Sequence, residues 1–305
     1  MIRKRLKQNP KQFWMLDGTN IFYRYFFAPF RNLSVPCILC QGEPGCIRCE
    51  GTGREQTKAT WQFTRYVINL IREKKPDYFA IAFDGRRENL LRTKLYPDYK
   101  GNRKKERPEG VTPQLRRIKE ILRALQIPVI VGKEHEADDI LASLANTYSN
   151  SRLEAIVVSR DKDLAHLCVN ENIFIFDHIK ETYTNKKNVP LRFGVEAAQL
   201  LDYFALLGDA GDNIGGVDGF GPKTASRLLG KCFNLNGIEN STALSKKLRE
   251  NLILARESGT LALSRKLLTL ETNIPVPGIV DLVTPTIDLS RARSIFRLLN
   301  FKEME

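Results

Sequence analysis

Between residues 13 and 163, three short apolar runs each end at an aspartate, and this pattern constrains the fold more than any other feature of the chain. Phe13-Trp14-Met15-Leu16 runs into Asp17-Gly18, Tyr78 to Phe83 runs into Asp84, and the run over 155–159 is followed by Asp161 and Asp163. Each run has the length of a buried strand. Helical spacing fills the gaps. Phe63, Val67, Leu70 and Ile71 recur at i, i+4, i+7 and i+8 in the stretch 60–75, and Pro76-Asp77 ends that helix. A second helix is expected with Thr112 as N-cap, Pro113 in its first turn, and Leu115, Ile118, Leu122 and Leu125 inward. Residues 128–131 read as a strand, 136–148 as a helix with Ile140, Leu141 and Leu144 inward, and 173–176 as a last strand.

Strands alternating with helices predict an α/β fold, a mostly parallel sheet with flanking helices. Ligands of such sheets gather beyond the carboxyl ends of the strands, where Asp17, Asp84, Asp161 and Asp163 all fall. From about residue 186 the pattern turns helical with no convincing strand. The expected organisation is an α/β core over 1–185 and a helical region over 186–305. The core would carry a Cys-rich insert at about 34–56 and a basic segment at about 86–110.

Lys and Arg total 48 against 35 Asp and Glu, a net charge of +13, which points to a polyanionic partner. With 42% apolar and 27% charged residues the composition is globular rather than disordered. The longest apolar runs are far too short to span a bilayer, and the basic N-terminus is followed by no apolar stretch of signal-peptide length. A soluble, cytoplasmic protein, monomeric and without membrane contact, is the expectation.

Against the basic background, acids cluster. Glu136-Ala137-Asp138-Asp139 opens a helix, and Asp209 and Asp212 lie in Gly208-Asp209-Ala210-Gly211-Asp212-Asn213. Helix capping explains one or two acids in a first turn, but not three in four residues. With Asp17, Asp84, Asp161 and Asp163 these make nine carboxylates, and their convergence without cations would be strongly repulsive. Hard oxygen ligands select Mg²⁺ or Mn²⁺. Two such ions roughly 4 Å apart can clamp a phosphate.

Leu16-Asp17-Gly18-Thr19-Asn20, Ala82-Phe83-Asp84, Glu136-Ala137-Asp138-Asp139, Ser159-Arg160-Asp161-Lys162-Asp163 and the Gly208 to Asn213 stretch occur in the order and approximate spacing of the flap endonuclease family. The chain resembles in particular the 5′-nuclease domain of bacterial DNA polymerase I and phage 5′-exonucleases, from Phe13 to about Phe301. The resemblance implies a PIN-like nuclease core, a basic helical arch and a C-terminal helix–three-turn–helix. It implies that Asp17, Asp84, Glu136 and Asp138 surround one metal and Asp161, Asp163, Asp209 and Asp212 a second, with Asp139 close to both. It further implies a structure-specific nuclease that hydrolyses DNA at 5′ ends, flaps or single-strand/duplex junctions.

The segment 86–107 holds nine basic and three acidic residues. Within it, Tyr99-Lys100-Gly101-Asn102-Arg103 is similar to the family's Tyr-Lys-Gly-x-Arg signature, which makes Lys100 and Arg103 the candidates for contact with the scissile phosphate. A cation there stabilises charge that develops in the transition state. Tyr99 is expected to stack on a base. Arg86, Arg87, Lys104, Lys105 and Arg107 read as a solvated run giving general phosphate attraction.

Gly219-Phe220-Gly221-Pro222-Lys223-Thr224 precedes a helix, and its glycines let backbone N–H groups approach a phosphate. It resembles the family's helix–hairpin–helix (about 208–230), with Lys223 and Thr224 as phosphate contacts and a K⁺ ion possible on loop carbonyls. Gly215 stands where many relatives carry Pro. Cys37-x-x-Cys40-x5-Cys46-x-x-Cys49 is not part of the family pattern. Four thiolates at this spacing suit one structural Zn²⁺, against the alternative of reduced surface thiols. Two rival functions remain at this level: a PIN-like ribonuclease, which would normally lack the Gly219-Phe220-Gly221 clamp, and a non-catalytic DNA-binding protein, for which an intact acid set has no use.

Overall fold

The computed structural model describes residues 9–40, 46–103 and 107–304. Parts of the expected insert (41–45) and arch (104–106, with Lys104 and Lys105) lie outside the described residues.

The apolar runs form the centre of a six-stranded sheet. Its strands are β1 (Lys11–Asp17), β4 (Tyr78–Phe83), β5 (Val129–Val131), β6 (Leu153–Val158), β7 (Ile173–Asp177) and β8 (Thr182–Thr184), in the order β5-β4-β1-β6-β7-β8. All neighbours are parallel except β7 and β8. Residues alternate between two cores, as the two-residue period of a strand requires. Phe13, Met15, Ala80, Ala82, Ala155 and Val157 face one layer, which includes α5 (Ala137–Tyr148). Trp14, Leu16, Phe79, Ile81, Ile156 and Val158 face the other, which includes α2 (Lys58–Lys74) and α4 (Val111–Ala124). This is the α/β architecture that the sequence predicts.

From β1 the chain moves to β4 and β5 on one side, then returns to β6 and β7 on the other. The switch between these two directions lies between β1 and β6, the crevice where open α/β sheets bind ligands. Gly18 follows Asp17 at the entry to α1 (Gly18–Phe27), and a Cβ there would sit 2.8 Å from the Ala82 carbonyl oxygen and 2.7 Å from the Phe83 ring. Only glycine lets this turn pack against β4.

Three short strands escape the sequence reading. β8 is one, and β2 (Ser34–Pro36) with β3 (Arg54–Gln56) form an antiparallel pair that brackets the cysteines. The expected Thr112 N-cap is also corrected. Helix α4 begins at Val111, its N-cap is Gly110 at φ +80°, and Thr112 is exposed in the first turn. Past Thr184 the described residues form helices, turns and isolated bridges. They include α7 (Leu200–Leu207), α8 (Pro222–Cys232), α10 (Lys246–Glu257) and α11 (Thr260–Leu268). The last turns come back to the sheet, where Phe296, Leu299, Phe301 and Met304 are buried in the layer that holds Trp14 and Ile118.

Candidate active site

Strand ends bring the predicted acids together. Asp17 closes β1, and its Oδ1 accepts from Asn20 N at 2.9 Å, capping α1. Its Oδ2 accepts from Ser159 Oγ at 2.9 Å, and that hydroxyl also receives the Asp161 N–H at 3.1 Å. Ser159 therefore ties β1 to β6 across the switch point. Asp84 follows β4, accepts from Ala137 N at 2.8 Å and donates its own N–H to Thr19 Oγ1 at 2.9 Å. Asp161 Oδ1 accepts from Asp163 N at 2.9 Å. Asp138 Oδ1 and Asp163 Oδ1 are buried with no hydrogen-bond partner. Such orphaned oxygens are costly unless a cation meets them.

The electrostatics agree. Burial, then Asp84, pushes Asp17 up to about 7. Burial, then Asp161, pushes Asp163 up to about 7. Asp138 is held well above the carboxylate range by burial, then by Asp17 and Asp161. Asp84 is raised by burial and by Glu136, and Asp161 is raised by burial, with Asp212 adding to it. Crowded carboxylates with bare oxygens and raised affinity for protons have the chemistry of a divalent-cation site, because bound cations reverse each of these shifts.

Basic residues from the 86–103 segment fold onto this cluster. Lys100 Nζ lies 2.5 Å from Glu136 Oε1 and 3.6 Å from Asp212 Oδ2. Burial alone would lower its pKa, but Glu136, Tyr99 and Asp212 hold it well above the ordinary value. Arg103 pairs with Asp212 Oδ1. Asp209 is set back: its Oδ2 meets Lys162 Nζ at 2.8 Å, and its Oδ1 caps Gly211 N and Asp212 N.

Three expectations are corrected here. Tyr99 is 4% exposed, with its hydroxyl 2.9 Å from Glu136 Oε2 and 3.4 Å from Asp212 Oδ2, so its ring is closed to base stacking in this conformation. Asp139 has its carboxylate committed to other partners. Its carboxylate takes a bidentate pair from Arg92 at 2.6 and 2.7 Å and accepts from Glu136 N and Glu271 N. Glu136 and Asp139 form a reciprocal capping box on α5, so helix capping explains two of the three acids and leaves Asp138 facing the cluster. The expected solvated run also fails for Arg87, whose Nη2 donates to the Lys100 carbonyl at 2.6 Å.

Arg92 is the main residue that the sequence reading missed. It also reaches Glu136 Oε2 at 3.0 Å and the carbonyls of Leu267 and Thr269 at 2.8 Å, joining α3 (Leu91–Leu95), α5 and the end of α11. Its one sequence signal is an arginine among Leu90, Leu91 and Leu95 in an otherwise polar stretch. Ser159 and Thr19, each two residues from a predicted acid, also carry no role in the sequence reading.

The second predicted motif forms a helix–loop–helix from α7 to α8. Gly219 has φ +83°, and a Cβ there would lie 2.8 Å from Leu248, so glycine is required at this turn. Gly221 is the N-cap of α8, at φ −92° with open space beside it, and Lys223 is exposed with Thr224 half-buried behind it. An open helix N-terminus with a lysine is a phosphate-binding arrangement. The Gly215, Val217 and Asp218 carbonyls already accept from Ser264 Oγ, Phe220 N and Asn251 Nδ2. Cys37, Cys40, Cys46 and Cys49 also converge, with all four Sγ atoms within 4.8 Å of one another. Backbone N–H groups of Arg48 and Cys49 and the Cys40 side chain draw the Cys46 thiol down to about 6.

Residues 12–194 match the 5′-3′ exonuclease N-terminal resolvase-like domain, and residues 195–289 match the 5′-3′ exonuclease C-terminal SAM fold. The chain is 32% identical over 295 residues to a 5′-3′ exonuclease of Aquifex aeolicus, covering 96% of this chain and 94% of that protein. It is 32% identical over 298 residues to DNA polymerase I of Caldicellulosiruptor bescii, covering 95% of this chain but 32% of the polymerase. It thus spans about a third of that longer relative. Its fold is that of the bacteriophage T5 flap endonuclease crystallised with DNA and metal ions, with a TM-score of 0.64 at 18% identity over 96% of this chain and 98% of that one. The two family models together cover residues 12–289, and the chain belongs to the 5′-3′ exonuclease family.

Proposed function

We propose that this chain is a divalent-metal-dependent 5′ nuclease that hydrolyses DNA phosphodiesters at 5′ ends, flaps or single-strand/duplex junctions. The observation that carries the proposal is the meeting of Asp17, Asp84, Asp138, Asp161 and Asp163 at one sheet edge, with bare oxygens on Asp138 and Asp163. Asp17, Asp84, Glu136 and Asp138 would hold one Mg²⁺ or Mn²⁺, and Asp161, Asp163, Asp209 and Asp212 a second. Bound there, the two ions supply an activated water and stabilise charge on the departing oxygen. Asp139 is assigned to holding Arg92 rather than an ion.

The chain's own groups do the rest. Ser159 and Thr19 fix the carboxylates of β1 and the backbone after β4. Lys100 and Arg103, which would exchange Glu136 and Asp212 for the scissile phosphate, would donate to it as its charge grows. Tyr99 keeps the turn in register by its hydrogen bonds rather than by stacking. The N-terminus of α8, with Gly219, Gly221, Lys223 and Thr224, grips the duplex backbone without reading sequence. A potassium ion on this loop would have to share carbonyls that already accept hydrogen bonds. No helix among the described residues is long and apolar enough to cross a membrane, and we place the enzyme's work on DNA in the cytoplasm.

Incubating the protein with a 5′-flap DNA and with its RNA counterpart, each in Mg²⁺ and in chelator, tests this reading. The expected result is Mg²⁺-dependent cleavage of the DNA to a product with a 5′-phosphate. Preferential RNA cleavage would assign a PIN-like ribonuclease, and DNA binding with no cleavage would assign a binding protein.

A further inference from the structure

The four cysteines sit inside the β2–β3 hairpin, closed by a Cys37 N–H donated to the Gly53 carbonyl at 2.9 Å. Their sulfurs lie 3.7 Å (Cys37–Cys46), 3.9 Å (Cys37–Cys40) and 3.3 Å (Cys40–Cys49) apart. A disulfide needs about 2 Å. A tetrahedron with Zn–S bonds of about 2.3 Å has edges of roughly 3.8 Å. Glu50, Gly51 and Gly53 all take positive φ, bending the 46–53 stretch back so that Cys46 and Cys49 face Cys37 and Cys40. Soft thiolates in this geometry favour zinc over the hard ions suited to the carboxylates.

This hairpin is also fastened to α4. Glu50 Oε2 accepts the Gly110 N–H at 2.7 Å, which fixes the N-cap of that helix. Arg48 reaches Glu120 at 3.2 Å, and Arg116 donates to the Ile47 carbonyl at 2.8 Å. Arg117, buried, forks onto Glu55 of β3 at 2.7 and 2.8 Å and donates to Glu120 at 2.8 Å. Every one of these contacts from 47 to 50 depends on the conformation of the Cys46–Cys49 turn. Gly110 is in turn the point where the basic segment bearing Lys100 and Arg103 rejoins the core.

We propose that Cys37, Cys40, Cys46 and Cys49 bind one Zn²⁺ and that this ion clasps the N-terminal half of α4 to the hairpin, anchoring the distal end of the basic segment. Metal analysis of protein purified without added zinc should find about one equivalent, absent from a Cys46→Ser/Cys49→Ser variant. Hydrogen exchange gives the second readout. Extracting zinc from the wild type with a thiol-reactive mercurial and chelator should speed exchange over 110–120 by about tenfold, the scale of losing a charge-assisted hydrogen bond, while 137–148 stays protected. Glu50→Ala should keep its zinc yet show the faster exchange at Gly110. Zinc-free native protein whose four thiols titrate freely would overturn the site. Stoichiometric zinc whose removal leaves exchange over 110–120 unchanged would overturn the clasp, and neither result bears on whether the carboxylate cluster cuts DNA.

Discussion

Lys100 is held by three parts of the chain at once. Its N–H donates to the Asp212 carbonyl at 2.9 Å, its carbonyl accepts from Arg87, and its ammonium rests on Glu136. Its φ of +55° is uncommon for a residue with a side chain, and such backbone strain persists where surrounding contacts over-determine it. A backbone fixed this way aims the ammonium at the carboxylate cluster, which suits a transition-state role. Lys100→Ala should lower kcat by roughly 10²-fold or more with little change in Kd for a flap DNA. Weakened binding with a salt slope reduced by about one unit and kcat intact would instead make it one phosphate contact among many. At this scale the acids were legible because each ends an apolar run or opens a helix. The Arg92–Asp139 pairing was not, because it joins residues 47 apart in sequence and nothing local announces it. The burial of Tyr99 is not written locally, because its hydroxyl is held by Glu136 and by Asp212, the latter more than a hundred residues on.

Elements were read well where burial on both faces writes a continuous apolar run, as in β1, β4 and β6. They were lost where a strand is only three residues long and its partner distant in sequence, as in β2 and β3 around the cysteines. The start of α4 shows the same limit. Thr112 has the better N-cap side chain, but the cap is Gly110, because Glu50 captures its N–H and the left-handed φ turns the chain into the helix. The capping box on α5 has the opposite lesson: local chemistry accounts for the capping roles of Glu136 and Asp139, while the Arg92–Asp139 pairing and the place of Asp138 are tertiary.

Over the whole molecule, pH should report the state of the carboxylates. Asp17 and Asp163 rise from about 3.8 to about 7 on folding, and Asp84, Asp138 and Asp161 shift the same way. The native state therefore binds more protons than the unfolded chain between these values, so these groups lose stability as pH rises through that window. His166 and His178, lowered from 6.5 to about 4 by burial, act oppositely below 6.5, and the Cys46 thiol, lowered to about 6, acts oppositely above 6, but five raised carboxylates outweigh these three groups. In chelator, the melting temperature should be higher at pH 5.5 than at pH 7.5 by several degrees, and Mg²⁺ should raise it more at pH 7.5. Scanning calorimetry checks both signs. The most direct measurement is made on the Asp161→Asn/Asp163→Asn double variant with a 5′-flap DNA in Mg²⁺. The two-ion carboxylate centre predicts that cleavage is lost while binding of the DNA survives on the basic surface. Near-normal turnover by this variant would contradict it.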